Sequence, residues 1–231
     1  AKLDYDDPET YKMLSRGETE GVFQLESSGM KQVLVGLQPQ NLEDVIALIS
    51  LYRPGPMDSI PTYLRNRHEP DKISYKTPQL AHILDVTNGC IVYQEQVMQI
   101  FRELAGFSFG QADNVRRAMS KKKHAVMEAE REHFVHGCTD PGNECPGCVA
   151  NGISEKVANE IYDEMSSFAS YAFNKSHAAC YAYVAFQTAY LKCHYPSEFM
   201  AALLTSVLDN TDKVIEYSGE LSLIHISEPT R

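Results

Sequence analysis

The sequence predicts a mainly α fold with small β elements, and three observations lead to that expectation. Apolar residues recur at helical spacing, as at Val97, Ile100, Phe101 and Leu104, which fall at i, i+3, i+4 and i+7. Residues suited to helix starts (Asn41, Ser154, Ser176 and Pro196) stand in front of such stretches. Only two short segments, residues 21–27 and 90–93, look extended. At 231 residues, 43% hydrophobic and 23% charged, the chain can bury a sizeable core in one large or two small domains.

Taken in order, residues 21–27 (GVFQLES) alternate as a short strand does. Asn41 caps a helix running to Leu51, with Glu43 and Asp44 at its positive end. Arg53-Pro54-Gly55-Pro56 stops that helix, since Pro54 restricts the residue before it and Gly55 permits a turn. The polar stretch 58–79 is expected to be a loop with little structure. The apolar run 90–93 leads into an amphipathic helix over 94–104, and a Gly-marked turn (106–110) precedes a helix with a basic cluster. Ser154 caps a helix with Val157, Ile161, Met165 and Phe168 in one stripe. Ser176 starts a long helix to about His194, and Pro196 opens another ending near Asn210.

No run of about 18 apolar residues is present, so no membrane span is expected. The opening Ala1-Lys2-Leu3-Asp4 does not read as a signal peptide, and the missing Met suggests a piece of something longer. Net charge is −10, but it is unevenly spread: residues 114–123 (NVRRAMSKKK) hold five cations, whereas the first 26 residues carry seven acids. Local charge decides what an anionic partner meets, so the sum does not exclude nucleic acid. Six cysteines, three of them within residues 138–148, make a poor disulfide framework and point to a reducing, cytoplasmic setting.

Two constellations carry binding chemistry. Arginine grips phosphate through a planar, permanently charged fork. On one helix Arg116 and Arg117 diverge by about 100°, so one can hold a phosphate while the other braces the helix or touches DNA. Lys121 and Lys123 extend the positive surface, although a solvated basic helix end has the same composition. The second is Tyr171-Ala172-Phe173-Asn174-Lys175-Ser176-His177, an aromatic beside a Lys and a His at a helix start, where free N–H groups attract anions. Most of the seven aromatics in 171–195 are expected to be core. A third cluster, Cys138, Cys145 and Cys148 with His136 or His133, has the spacing of a structural zinc knuckle. Free thiols or a disulfide are the alternatives there. Cys90, Cys180 and Cys193 are expected to be buried small residues, Arg53 to be structural first, and Gln94 and Glu95 to cap a helix.

Six segments, FQLESSGM (23–30), LYRPGPM (51–57), YQEQVMQI (93–100), ADNVRRAMSKKK (112–123), FNKSHAA (173–179) and HYPSEFMAALLTSVLDN (194–210), occur in this order. Together they resemble the fingers region of the bacterial DNA polymerase III alpha subunits, the C-family polymerases, across nearly all of residues 1–220. The resemblance implies that Arg116 and Arg117 face the phosphates of an incoming deoxynucleoside triphosphate (dNTP), with Lys175 assisting. His177 would stand near the sugar as a gate against ribonucleotides, with Tyr171 and Phe173 lining the same pocket. Ser120 and Ala172 stand where many relatives have Gly.

The resemblance further implies Mg2+ in the parent enzyme, held by three palm aspartates upstream of the matched segment. Asp4, Asp6 and Asp7 match a linker instead, so this fragment is expected to be inactive alone. Template-primer DNA, dNTP, the sliding clamp and other replisome subunits are the implied partners. The expected organisation is a fingers region over 1–220 with a Cys-rich insertion at 136–150. Residues 221–231 (LSLIHISEPTR) resemble a translated sequencing adapter and are expected to be a non-native tail. A non-catalytic, zinc-stapled nucleic-acid-binding module is the rival from another class. A free-standing nucleotide-binding protein is disfavoured by the missing Gly-rich phosphate loop.

Overall fold

A computed structural model describes residues 3–121, 124–169 and 173–227. Helices dominate it, and the two β contacts among the described residues are isolated bridges, Tyr93 with Phe173 and Cys138 with Cys145. The chain divides into two compact units, residues 1–49 with 179–231 and residues 50–178.

In the first unit, α1 (Pro8–Ser15) starts where Asp7 accepts a hydrogen bond from the Thr10 amide at 2.8 Å and Pro8 takes the first turn. A second helix, α2 (Ser28–Leu37), is capped by Ser27. The third, α3 (Leu42–Leu51), follows the predicted Asn41 cap, whose side chain accepts from the Asp44 amide at 3.0 Å. Leu14, Leu25, Leu34 and Leu37 are fully buried in this unit, as is Phe186, whose ring meets those of Tyr5 and Tyr11.

The strand expected at 21–27 is instead a series of turns. Gly21 and Gln24 both adopt positive φ, which breaks an extended run, and Val22 and Leu25, three apart, both turn inward. The Thr19 hydroxyl donates to the Leu25 carbonyl at 2.6 Å and closes the turn. Also in this unit, the buried Lys192 donates to the Glu20 carbonyl (3.0 Å) and to Glu220 (2.8 Å), which offsets the cost of removing its charge from water.

The second unit holds α4 (Ile60–His68), α5 (Ala81–Leu84), α6 (Gln94–Ala105), α7 (Phe109–Ser120), α8 (His124–His136), α9 (Gly147–Ala150) and α10 (Glu155–Ala169). Helix α4 lies inside the stretch expected to be a loop. Ile60 and Tyr63 anchor it to the interior, a pair too sparse among polar residues to give a clear period. The amphipathic reading of α6 holds in full, with Val97, Ile100, Phe101 and Leu104 all buried. Phe101 centres an aromatic cluster with Phe107, Phe134 and Tyr162 at ring separations of 5.3, 5.0 and 6.0 Å. Ile161 and Met165 of α10 enter the same core, and Val157 and Phe168 pack against it.

The last three helices are α11 (Lys175–His194), α12 (Pro196–Ser206) and α13 (Thr211–Ser227). Asn174, not Ser176, caps α11: its side chain accepts from the His177 amide at 3.0 Å. Helix α12 stops at Ser206, short of Asn210, because Asn210 caps α13 through the Lys213 amide at 3.1 Å.

Candidate nucleotide-binding cleft

The start of α6 and the start of α11 are tied together inside the second unit. The Gln94 amide donates to the Phe173 carbonyl at 3.0 Å, within the parallel bridge between Tyr93 and Phe173. Glu95 then accepts from the Lys175 amide through both carboxylate oxygens, at 3.2 and 3.1 Å. An acid at the positive end of α11 compensates its unsatisfied N–H groups. The expected capping role of Glu95 is therefore met, but at a helix 80 residues away in sequence.

Helix α7 brings the basic cluster to this junction. Arg116 donates to Asp113 at 2.8 and 3.0 Å and to the Gln94 side chain at 3.1 Å. Arg117 reaches the other oxygen of Asp113 at 2.7 Å while most of its side chain stays exposed. One carboxylate thus serves two guanidinium groups, whose hydrogen bonds and charges hold the Asp113 carboxyl below its ordinary range. A cleft of about 450 Å³ opens here, lined among others by Gln94, Glu95, Arg102, Asp113, Arg116 and Asn174. That size suits a small-molecule ligand.

On the same junction, the Arg53 guanidinium sits 3.7 Å from the centre of the Phe173 ring, a stacked cation–π contact. Burial lowers the pKa of Arg53, which stays charged at any relevant pH. The exposed His177 ring stands nearly perpendicular to Phe173 with 5.1 Å between ring centres, and the Lys175 ammonium lies 5.3 Å from the Tyr93 ring centre.

Of the residues singled out in the sequence, Arg116 lines the cleft, and Phe173, Lys175 and His177 follow or flank the lining residue Asn174. Arg117 shares the Asp113 anchor but faces solvent. Tyr171, Lys122 and Lys123 lie outside the described residues. Sequence reasoning missed Asp113, although its position three and four residues before the arginines is the ion-pair spacing of a helix. Arg53, expected to be structural, stacks directly on the Phe173 motif, and no spacing rule could have joined residues so far apart.

The expected zinc ligands are not gathered into a site. Among the described residues, the group of at least three possible metal donors within 4.8 Å of one another is Asp7, Cys193 and His194. Cys138 and Cys145 instead pair through their backbones, with amide and carbonyl exchanged at 2.9 Å in both directions, and join Cys148 in the apolar core. Burial pushes the Cys148 thiol up to about 12 and raises Cys145 as well. His136 lies near Glu132 and Glu155, at 3.9 and 3.8 Å. Cys90 is buried as expected, but Cys180 is exposed and Cys193 half-buried.

Residues 1–142 match the model of the bacterial DNA polymerase III alpha subunit finger domain, and the chain belongs to that family. It is 51% identical over 221 residues to DNA polymerase III subunit alpha of Thermus aquaticus, covering 94% of this chain and 17% of that protein. To the Bacillus subtilis (strain 168) subunit it is 47% identical over 220 residues, covering 95% of this chain and 19% of that protein. The chain therefore spans less than a fifth of the length of these two relatives. Among the described residues, no helix is long and apolar enough to cross a membrane.

Proposed function

We propose that this chain is the nucleotide-gripping part of a DNA-directed DNA polymerase that copies a template-primer from dNTPs. The observation that carries the reading is the convergence of α6, α7 and the start of α11 around Arg116, Gln94 and Asn174. Arg116 and Arg117 hold the triphosphate once its oxygens replace Asp113, exchanging one set of charge-assisted hydrogen bonds for another. Lys175 adds a point charge beside them. His177, fixed against Phe173, screens the sugar by leaving no room for a 2′-hydroxyl, and Arg53 keeps the Phe173 ring in place.

The carboxylates near the cleft do not suit the catalytic Mg2+ of such a polymerase. Asp113 is committed to two arginines, Glu95 to the start of α11, and Glu103 to Gln99 and His82. Metal-dependent chemistry is accordingly assigned to other parts of the parent enzyme, and the chain alone is inactive. Clamp and replisome contacts belong to the parent as a whole. Residues 221–231 are treated as a non-native tail.

The test uses full-length enzyme containing this segment. Replacing Arg116 by Ala removes charge-assisted hydrogen bonds and lowers kcat/KM for dNTP by about 10–100-fold without preventing folding. Unchanged nucleotide kinetics in both Arg116→Ala and Arg117→Ala refute the phosphate role.

A further inference from the structure

We propose that Asp7, Cys193 and His194 form a zinc site that ties the start of α1 to the end of α11 within the first unit, sharing no residue with the nucleotide cleft. One donor atom from each residue lies within 4.8 Å of the other two. His194 Nε2 is 2.9 Å from Asp7 Oδ2. The three supply one nitrogen, one oxygen and one sulfur, a mixed set that suits Zn2+ and excludes the oxygen-seeking Mg2+ and Ca2+.

Tetrahedral zinc with bonds of about 2.0–2.3 Å needs its donors roughly 3.3–3.6 Å apart. Opening the His194–Asp7 contact by a few tenths of an ångström and turning the Cys193 side chain meets that requirement. The surroundings favour a cation. His194 ends α11, where unpaired carbonyls give the helix its negative pole. Asp7 brings a carboxylate whose Oδ2 accepts from the Thr10 amide at 2.8 Å and the Thr10 hydroxyl at 2.6 Å.

An outer layer is also present. The Thr10 hydroxyl, fully buried, donates to Asp7 Oδ2 at 2.6 Å and contacts the Cys193 thiol, while Tyr190 packs on the His194 ring at 4.4 Å between centroids. Binding converts the Cys193 thiol to a thiolate and releases one proton to solvent, so affinity rises with pH. In the metal-free chain the His194 Nε2–H donates to Asp7; binding moves that proton to Nδ1 and frees the Nε2 lone pair for the metal. Water takes the fourth position.

The test uses the reduced, chelator-treated 231-residue chain. Titration with Co2+, a spectroscopic stand-in for zinc, is expected to give a thiolate-to-cobalt charge-transfer band that saturates at one equivalent and is displaced by Zn2+. The band is lost in Cys193→Ser and retained in Cys145→Ser. Thr10→Val, which leaves all three donors in place, weakens zinc binding by about 10–100-fold. Should Cys193→Ser fail to fold, the unmodified chain decides: one equivalent of Zn2+ slows maleimide labelling of Cys193 by about tenfold or more and leaves the exposed Cys180 unchanged. No band in the unmodified chain, a band that survives in folded Cys193→Ser, or zinc protection falling on Cys138, Cys145 or Cys148 overturns the proposal.

Discussion

The Cys-rich segment offers a sharp test of what holds it, because two glycines there pack backbone against backbone. Gly147 has φ +77, and a Cβ placed on it meets the Gly137 amide nitrogen at 2.3 Å and the His136 carbonyl carbon at 2.6 Å. Gly137 is its mirror: a Cβ there meets the Cys145 and Pro146 carbonyl oxygens at 2.5 and 2.6 Å. Gly142, in the same loop, has a similar φ of +85 but nothing within 4 Å of its Cβ position. Alanine at either Gly147 or Gly142 carries the left-handed strain of about 1–2 kcal/mol. Gly147→Ala must also push two stretches of backbone apart, a further penalty of about 1–3 kcal/mol if it resembles overpacking elsewhere. At about 2–4 °C per kcal/mol for a chain of this size, that difference becomes roughly 2–12 °C in Tm. Thermal unfolding of both variants by circular dichroism, in chelator-treated buffer, gives the comparison. If Gly147→Ala unfolds within about 0.5 kcal/mol of Gly142→Ala, the interlocked-backbone account of this segment is wrong.

Two further outcomes follow from the structure. Phe101→Ala, removing a fully buried ring that touches three other aromatics, is expected to cost about 3–5 kcal/mol of stability in urea unfolding, and a loss under about 1 kcal/mol contradicts the aromatic core. The Asp7 carboxyl is pulled up by burial but more strongly down by its hydrogen bonds to Thr10 and His194, so its folded pKa lies below the ordinary 3.8. A depressed carboxylate stabilises above its unfolded pKa and loses that contribution as pH falls through the folded one. The stability gap between the metal-free chain and Asp7→Asn therefore closes as pH falls below 3.8, whereas a gap that widens there reverses the sign.

Much of the helical framework was legible because it rests on local rules. The stripe of α6, the Asn41 and Ser154 caps and the first-turn Pro196 each need only a few neighbouring residues, and each lies where the pattern put it. The errors fall where tertiary contacts outweigh local pattern. Val22 and Leu25 read as alternation but are the two inward corners of a turn, and α4 is held by two anchors in an otherwise polar stretch. At the cleft, residue types were legible and their joins were not. The Gln94–Phe173 pairing, the Glu95 cap on α11 and the Arg53–Phe173 stack connect segments about 80 to 120 residues apart, and loop closure leaves no periodic trace of such pairings. A knuckle pattern cannot distinguish ligands from thiols that fill a core, and it could not reveal the Asp7, Cys193 and His194 group, separated by some 186 residues.

Photo-crosslinking in the full-length enzyme reaches the cleft most directly. A dNTP bearing a reactive group on its sugar, bound with template-primer, is expected to label the peptide carrying Phe173 and His177, and unlabelled dNTP should compete the label away. Labelling confined to other segments, together with DNA binding that weakens with salt but ignores nucleotide, would contradict a substrate cleft built on Arg116 and His177.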